Sequence, residues 1–242
     1  MYINATDLKN KLGEFLDACL NDDIIITRHG KEIAVLKGIK GDRFLQEDSV
    51  AYDYSDRKHS IGRMSYQEFK EFTAKTEERY ELIDGNVYLL SSPKVNHQYA
   101  LTQICRQFFR YFEGKKCVPF FAPFDITLNN HKKNPDVVQP DLSVICDLNE
   151  YMNENGYYMG TPSLVLEILS ETTKRKDMVT KLNLYMCSGV KEYWIVNCEN
   201  KEISIFRFED ENIIENKTFL AGMVCKSFIF SGLQVDMDGL FL

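Results

Sequence analysis

The sequence predicts an α/β (α+β) chain, a mixed central sheet flanked by helices and preceded by a small helix-plus-hairpin unit. Three observations carry this. From residue 80 onward, short β-rich runs with two-residue alternation interleave with stretches of helical spacing, the pattern of one sheet covered by helices. Residues 1–40 hold one amphipathic stretch and one pair of β-branched runs, and a charged, aperiodic segment separates them from the rest. A lone carboxylate, Glu167, stands inside the apolar run "PSLVLEILS", where a charge is costly unless it is paired or binds a metal.

The elements follow in order. "ATDLKNKLGEFLDACL" (5–20) spaces Leu8, Leu12 and Leu16 four apart, with Phe15 and Cys19 beside them, so it reads as an amphipathic helix. "DIIITRHGKEIAVLKG" is a hairpin turning at His29-Gly30. One helix and one hairpin bury too little to stand alone, so this unit is expected to dimerise or pack on something else. Residues 41–63 read as a linker, and Ser65 with Glu68 forms a capping box that opens a helix over 65–73. "RYELIDGNVYLLS" is a hairpin turning at Asp84-Gly85, followed by a helix over about 96–113. Strands are expected near 117–121, 124–128, 141–146 and 163–169. A helix over 174–187 ends at Gly189, and a hairpin, "KEYWIVNCENKEISIFRFE", follows it.

Composition narrows the class. No apolar run approaches the roughly 20 residues of a membrane span, and the N-terminus lacks a basic-then-apolar signal, so no membrane association is expected and the chain reads as cytoplasmic. Seven scattered cysteines without a CxxC pair read as reduced core residues. A net charge of −7 argues against broad non-specific nucleic-acid binding, but not against a local basic surface beside acids that a metal neutralises.

Two strands carry the chemistry. In "QPDLSVICD" the proline costs no ladder donor at a strand start and leaves Asp141 at the strand's mouth. In "SLVLEILS" Val165, Glu167 and Leu169 share one face. If these strands pair antiparallel, Asp141 meets Glu167, and two carboxylates brought together require a proton or a cation between them. Hard oxygen ligands suit Mg²⁺ or Mn²⁺. Lys181 flanks the apolar face formed by Met178, Leu182, Tyr185 and Met186, from which its ammonium reaches the strand ends. Each residue has a plainer reading: Glu167 as an edge-strand residue in water, Asp141 as a turn cap, and Lys174, Arg175 and Lys176 as a solvated helix start. Only their conjunction favours chemistry.

With these residues on the page, "PD…E-x-x-S" and a following helical lysine resemble the PD-(D/E)xK nuclease superfamily. The ordered string "RYELIDGNVYLLSSP…H…PFDITL…QPDLSVICD…PSLVLEILS…KRKDMVTKLNLYMCSGVKEYWIVN" resembles the Uma-two family of bacterial endonucleases over residues 64–242. The resemblance implies a restriction-endonuclease-like fold, a Mg (or Mn) cofactor, DNA as substrate, and phosphodiester hydrolysis. It places metal-binding acids at Asp141, Glu167 and Glu81. Leu169 stands where the superfamily's lysine would be, and Lys181 matches relatives that carry it on the next helix. His97 also matches, with a structural or capping role as the plainer reading.

Residues 1–40 resemble the Phd/YefM antitoxins in the "INATDLKNKLGEFLDACLNDDIIITRHGKEIAVL" stretch. That implies a homodimer and operator binding, with Lys9, Arg28 and Lys31 as phosphate contacts; Lys174 and Arg175 are the corresponding candidates in the second unit. A nuclease-like domain stands where the antitoxins carry their toxin-binding tail, which argues against a toxin partner. The alternative is a non-catalytic DNA-binding regulator that keeps the nuclease fold as a scaffold.

Overall fold

The computed structural model describes residues 2–4, 15, 18–19, 23–28, 31–36, 60–129, 134–170 and 176–242. They divide into two compact units, 1–51 and 52–242.

In the first unit, β2 (Ile24–Arg28) and β3 (Lys31–Leu36) form the expected antiparallel hairpin. A strand that sequence periodicity missed, β1 (Tyr2–Asn4), pairs parallel with β2, and Thr27 Oγ1 donates to Ile3 O at 3.1 Å. Three residues are too short to display a two-residue period. Of the expected helix, Phe15, Ala18 and Cys19 are helical, and the three contribute to a small apolar cluster with Ile3, Ile24 and Ile26. Lys9 and the Leu8, Leu12 and Leu16 stripe lie outside the described residues.

The second unit is a mixed α+β fold in which two sheets position the site. The larger has the order β14–β13–β12–β11–β10–β7, built from β7 (Val118–Phe121), β10 (Leu142–Ile145), β11 (Leu164–Ile168), β12 (Glu192–Asn197), β13 (Glu202–Glu209) and β14 (Asn212–Leu220). It is mixed because β11 runs parallel to β12 but antiparallel to β10. Parallel strands need a crossover, and the helical segment 176–187 is it. The smaller sheet has the order β4–β6–β5–β9–β8, from β4 (Ser60–Arg63), β5 (Tyr80–Ile83), β6 (Asn86–Leu89), β8 (Ile126–Leu128) and β9 (Asp136–Val138). A short ribbon of β15 (Val224–Lys226) and β16 (Gln234–Asp236) completes the strands.

Alternation along β11 divides the core. Leu164, Leu166 and Ile168 face a cluster with Ala100, Ile104 and Phe108 of α2 (Val95–Phe112), whereas Val165 faces Leu184, Tyr185 and Tyr193 on the other side. Phe108 meets the fully buried Trp194 edge-on at 5.5 Å between ring centroids, a geometry that favours the aromatic quadrupoles. The capping box at Ser65 and Glu68 opens α1 (Tyr66–Thr73) as expected, and Phe69 seats that helix on Tyr80, Leu82 and Val87. Asp84 and Gly85 both take positive φ, 51° and 74°, at the predicted hairpin turn.

Four expectations change. Residues 60–63, assigned to the linker, form β4, which pairs with β6. The cysteines are not all reduced: Cys117 and Cys146 form a disulfide, because the β7–β10 register pairs Val118 with Ile145 and so sets the two thiols opposite each other one step beyond. The segment read as one α-helix over 174–187 is a π-helix, Lys176–Lys181, followed by α4 (Leu182–Cys187). That change of pitch turns Met178 outward, so it does not join the apolar face assigned to it. The short helix α3 (Leu148–Tyr151) was not anticipated. Among the described residues no helix is long and apolar enough to cross a membrane.

Candidate active site

The pairing of β10 with β11 sets Leu142 opposite Leu166, so the next step along each strand brings Asp141 and Glu167 side by side at the sheet end. Asp141 sits just ahead of its strand after Pro140. Its Oδ2 accepts the Ile168 backbone N–H at 2.7 Å and lies 3.2 Å from His97 Nε2. His97 comes from the first turn of α2, and its Nδ1 is buried with no hydrogen-bond partner. Burial pushes His97 down, but the hydrogen bond and charge of Asp141 outweigh it and raise its pKa above the ordinary histidine value.

Glu167 is 5% exposed on the opposite face of β11 from Leu166 and Ile168, which excludes the plainer reading of a solvated edge residue. Its Oε1 accepts Lys181 Nζ and Tyr185 Oη, both at 2.7 Å. Burial raises its carboxyl first, Lys181 pulls it back, and the negative charges of Asp177, Asp141 and Glu81 raise it again, to about 8.

Glu81, on β5, is fully buried. Lys181 Nζ lies 2.7 Å from its Oε1, which also accepts the Gln139 backbone N–H at 3.1 Å. Lys176 Nζ lies 2.7 Å from its Oε2. Burial pushes this carboxyl up, but the two ammoniums outweigh it and hold it at about 2. Burial likewise lowers Lys181, and Glu167, Glu81 and Asp177 outweigh it to keep the ammonium charged.

The π-helix is what makes the lysine pair possible. Residues five apart fall on different faces of an α-helix, whereas i→i+5 closure brings them nearly over one another. Lys176 and Lys181 are five apart, and both are buried, with Asp177, against one carboxylate. Val179, on the far side, is half-exposed.

Asp141, Glu167 and Lys181 line one cleft of about 550 Å³, which His97, Lys176 and Asp177 also line. Of the sequence-predicted site residues, the fold therefore brings Asp141, Glu167, Lys181 and Glu81 into one connected cluster. Arg28 and Lys31 are paired across the β2–β3 turn in the first unit, described as backbone only. Lys174 and Arg175 lie outside the described residues. Sequence reasoning missed Lys176 and Tyr185 as members of the cluster. Tyr185 is legible four residues after Lys181, where the helical spacing also sets it on the apolar face; the α-helical reading hides Lys176. Among the described residues no three His, Cys, Asp or Glu side chains converge as a metal cage, so any ion here relies on few protein oxygens.

Comparison with known proteins agrees with this architecture. A solved structure described as a putative nuclease belonging to DUF820 from Anabaena variabilis superposes with a TM-score of 0.60 at 20% identity, covering 74% of this chain and 97% of that one. An uncharacterized protein of Synechocystis sp., slr1290, is 24% identical over 150 residues, 62% of this chain and 76% of its own length. Residues 1–58 match the family described as "Antitoxin Phd_YefM, type II toxin-antitoxin system". Residues 66–238 match Uma2, described as "Putative restriction endonuclease", and the chain belongs to that family.

Proposed function

We propose that this protein is a metal-dependent DNA endonuclease that hydrolyses phosphodiester bonds, with residues 1–40 as an antitoxin-like dimerisation or DNA-binding module, 41–59 as a connecting segment and 60–242, which include β4, as the nuclease domain. The observation that carries the reading is the meeting of Asp141 and Glu167 at adjacent strand ends with Lys181 Nζ 2.7 Å from Glu167. Membership of a family described as "Putative restriction endonuclease" supports the same chemistry.

The residues fit a hard divalent cation. Asp141 and Glu167 each use one oxygen in the bonds above, which leaves Asp141 Oδ1 and Glu167 Oε2 as oxygen donors on the same cleft. Two carboxylates with waters suit Mg²⁺ or Mn²⁺, which keep part of their hydration shell. When bound, the ion supplies Lewis-acid stabilisation of the phosphoryl group. The chain's own residues do the rest. Ile168 N–H and His97 fix the Asp141 carboxylate, Tyr185 and Lys181 fix Glu167, and the Lys181 ammonium is placed to stabilise charge growing on the phosphate.

Incubating plasmid with wild-type protein and Mg²⁺ or Mn²⁺, beside Asp141→Asn and Glu167→Ala, tests this. Wild type should nick or linearise the DNA, and the variants should lose at least about a hundredfold of that rate, as expected when charge-stabilising groups are removed. DNA equally intact with all three proteins would overturn the reading. The antitoxin match over residues 1–58 favours a second reading, a non-catalytic DNA-binding regulator. It requires operator binding indifferent to metal and to Asp141→Ala.

A further inference from the structure

We propose that Glu81 is a positioning residue, which holds Lys181 against Glu167 through the π-helix with Lys176 as its counterion, and is not a ligand of the metal; this rests on the reading of the cluster as a metal-dependent nuclease site. The geometry engages both oxygens of Glu81 with ammoniums. Oε1 is shared by Lys181 Nζ at 2.7 Å and the Gln139 N–H at 3.1 Å, and Oε2 is taken by Lys176 Nζ at 2.7 Å. Its side chain is 0% exposed, and it is not among the residues that line the cleft where Asp141, Glu167 and Lys181 meet.

The clamp has a directional consequence. Lys181 Nζ is bridged between Glu81 Oε1 and Glu167 Oε1 at 2.7 Å each, so its position is set from both sides. A single carboxylate partner would let a long, flexible side chain sample other rotamers. Two lysines on one turn would repel each other, and the shared Glu81 offsets that repulsion and keeps the five-residue closure of the turn. Lys176 also lies 5.1 Å from the centre of the Tyr88 ring, which holds its chain from the far side. A residue acting through Lys181 affects the chemical step without changing how tightly the ion or the DNA is held.

The test separates this role from metal ligation. Removing Glu81 alone strips Lys176 of the carboxylate it is paired with while Lys181 keeps Glu167, so the charge-balanced double variant Glu81→Gln/Lys176→Met is used beside Glu81→Gln, which keeps the test open if the single variant does not fold. Mn²⁺ affinity measured by titration calorimetry should stay within about twofold of wild type in both, whereas Asp141→Asn should weaken it by roughly tenfold or more. Turnover on DNA should fall about tenfold with KM unchanged, and adding Glu81→Gln/Lys176→Met to Lys181→Met should cost nothing further, because the residues act as one unit. Native-state amine labelling read by mass spectrometry needs neither metal nor DNA. Lys181 should be protected in wild type and become labelled several times faster in the double variant. A tenfold loss of Mn²⁺ affinity on changing Glu81, or unchanged Lys181 protection, would overturn the inference. Wild-type protein that neither binds Mn²⁺ nor cuts DNA would overturn the nuclease reading, while the labelling result still decides what Glu81 does.

Discussion

Glu167 and Glu81 show how one ammonium serves two carboxylates differently. Lys181 lies 2.7 Å from both, yet Glu81 has a second cation and is held at about 2, while Glu167 has none and is pushed up to about 8 by burial and neighbouring acids. Tyr185 supplies the other bond to Glu167. Tyr185→Phe should therefore lower stability by about 1 kcal/mol, the net worth of one hydrogen bond, in chemical denaturation. A larger loss of cleavage than of stability would identify its effect as orientation of Glu167. At this scale Asp141, Glu167 and Lys181 were legible because each breaks a local pattern: an acid after proline, a charge in an apolar strand, a lysine on an apolar face. Lys176 was not, since its partner Glu81 lies 95 residues away and nothing local marks the pairing.

Among elements, the π-helix decides the site. A single extra residue per turn brings Lys176 and Lys181 together, so inserting one alanine after Val179, which sets them six apart, should move them to different faces at either pitch. Cleavage should drop to the level of Lys181→Met while the far-ultraviolet circular dichroism spectrum stays that of a folded protein. Glu192 anchors another element: its buried carboxylate accepts hydrogen bonds from Trp194 Nε1 and from the Phe228 and Ile229 N–H groups, which ties β12 to the segment leading to β16. Burial raises its carboxyl above the ordinary value against those bonds. A raised folded value means that Glu192 contributes stability in full below its unfolded value and loses that contribution as pH rises through the folded one. Thermal melts of wild type should show this fall and those of Glu192→Gln should not. Glu192→Ala leaves the Trp194 and Phe228 donors unsatisfied, Ile229 N–H keeping Ser227 Oγ, and should cost about 2–4 kcal/mol. The hairpins were legible from alternation and from Asp84-Gly85; β1, β9, β15 and β16, three residues each, carry too little pattern to be read.

For the whole molecule, the mixed α+β fold and the two-part organisation followed from composition and periodicity, but the second sheet and the disulfide did not. Which strands become neighbours is a tertiary fact, and so is the meeting of Cys117 with Cys146, 29 residues apart. Thiol titration of the unfolded, unreduced protein should count five of the seven cysteines, and all seven after reduction. Replacing both bridged cysteines with serine should lower stability by up to about 3–4 kcal/mol, the chain-entropy worth of a loop of that length. If residues 1–40 form a dimerisation module, light scattering should give a dimer for the full chain and a monomer after their removal.

The central claim is that Asp141 and Glu167 together hold a divalent cation. A manganese soak of crystals, read by anomalous scattering, tests it most directly. The account predicts one strong peak within coordination distance of both carboxylates, with Lys181 beside it, and no peak there in Asp141→Asn. Manganese absent from that position at saturating concentration, or bound equally in the variant, would contradict it.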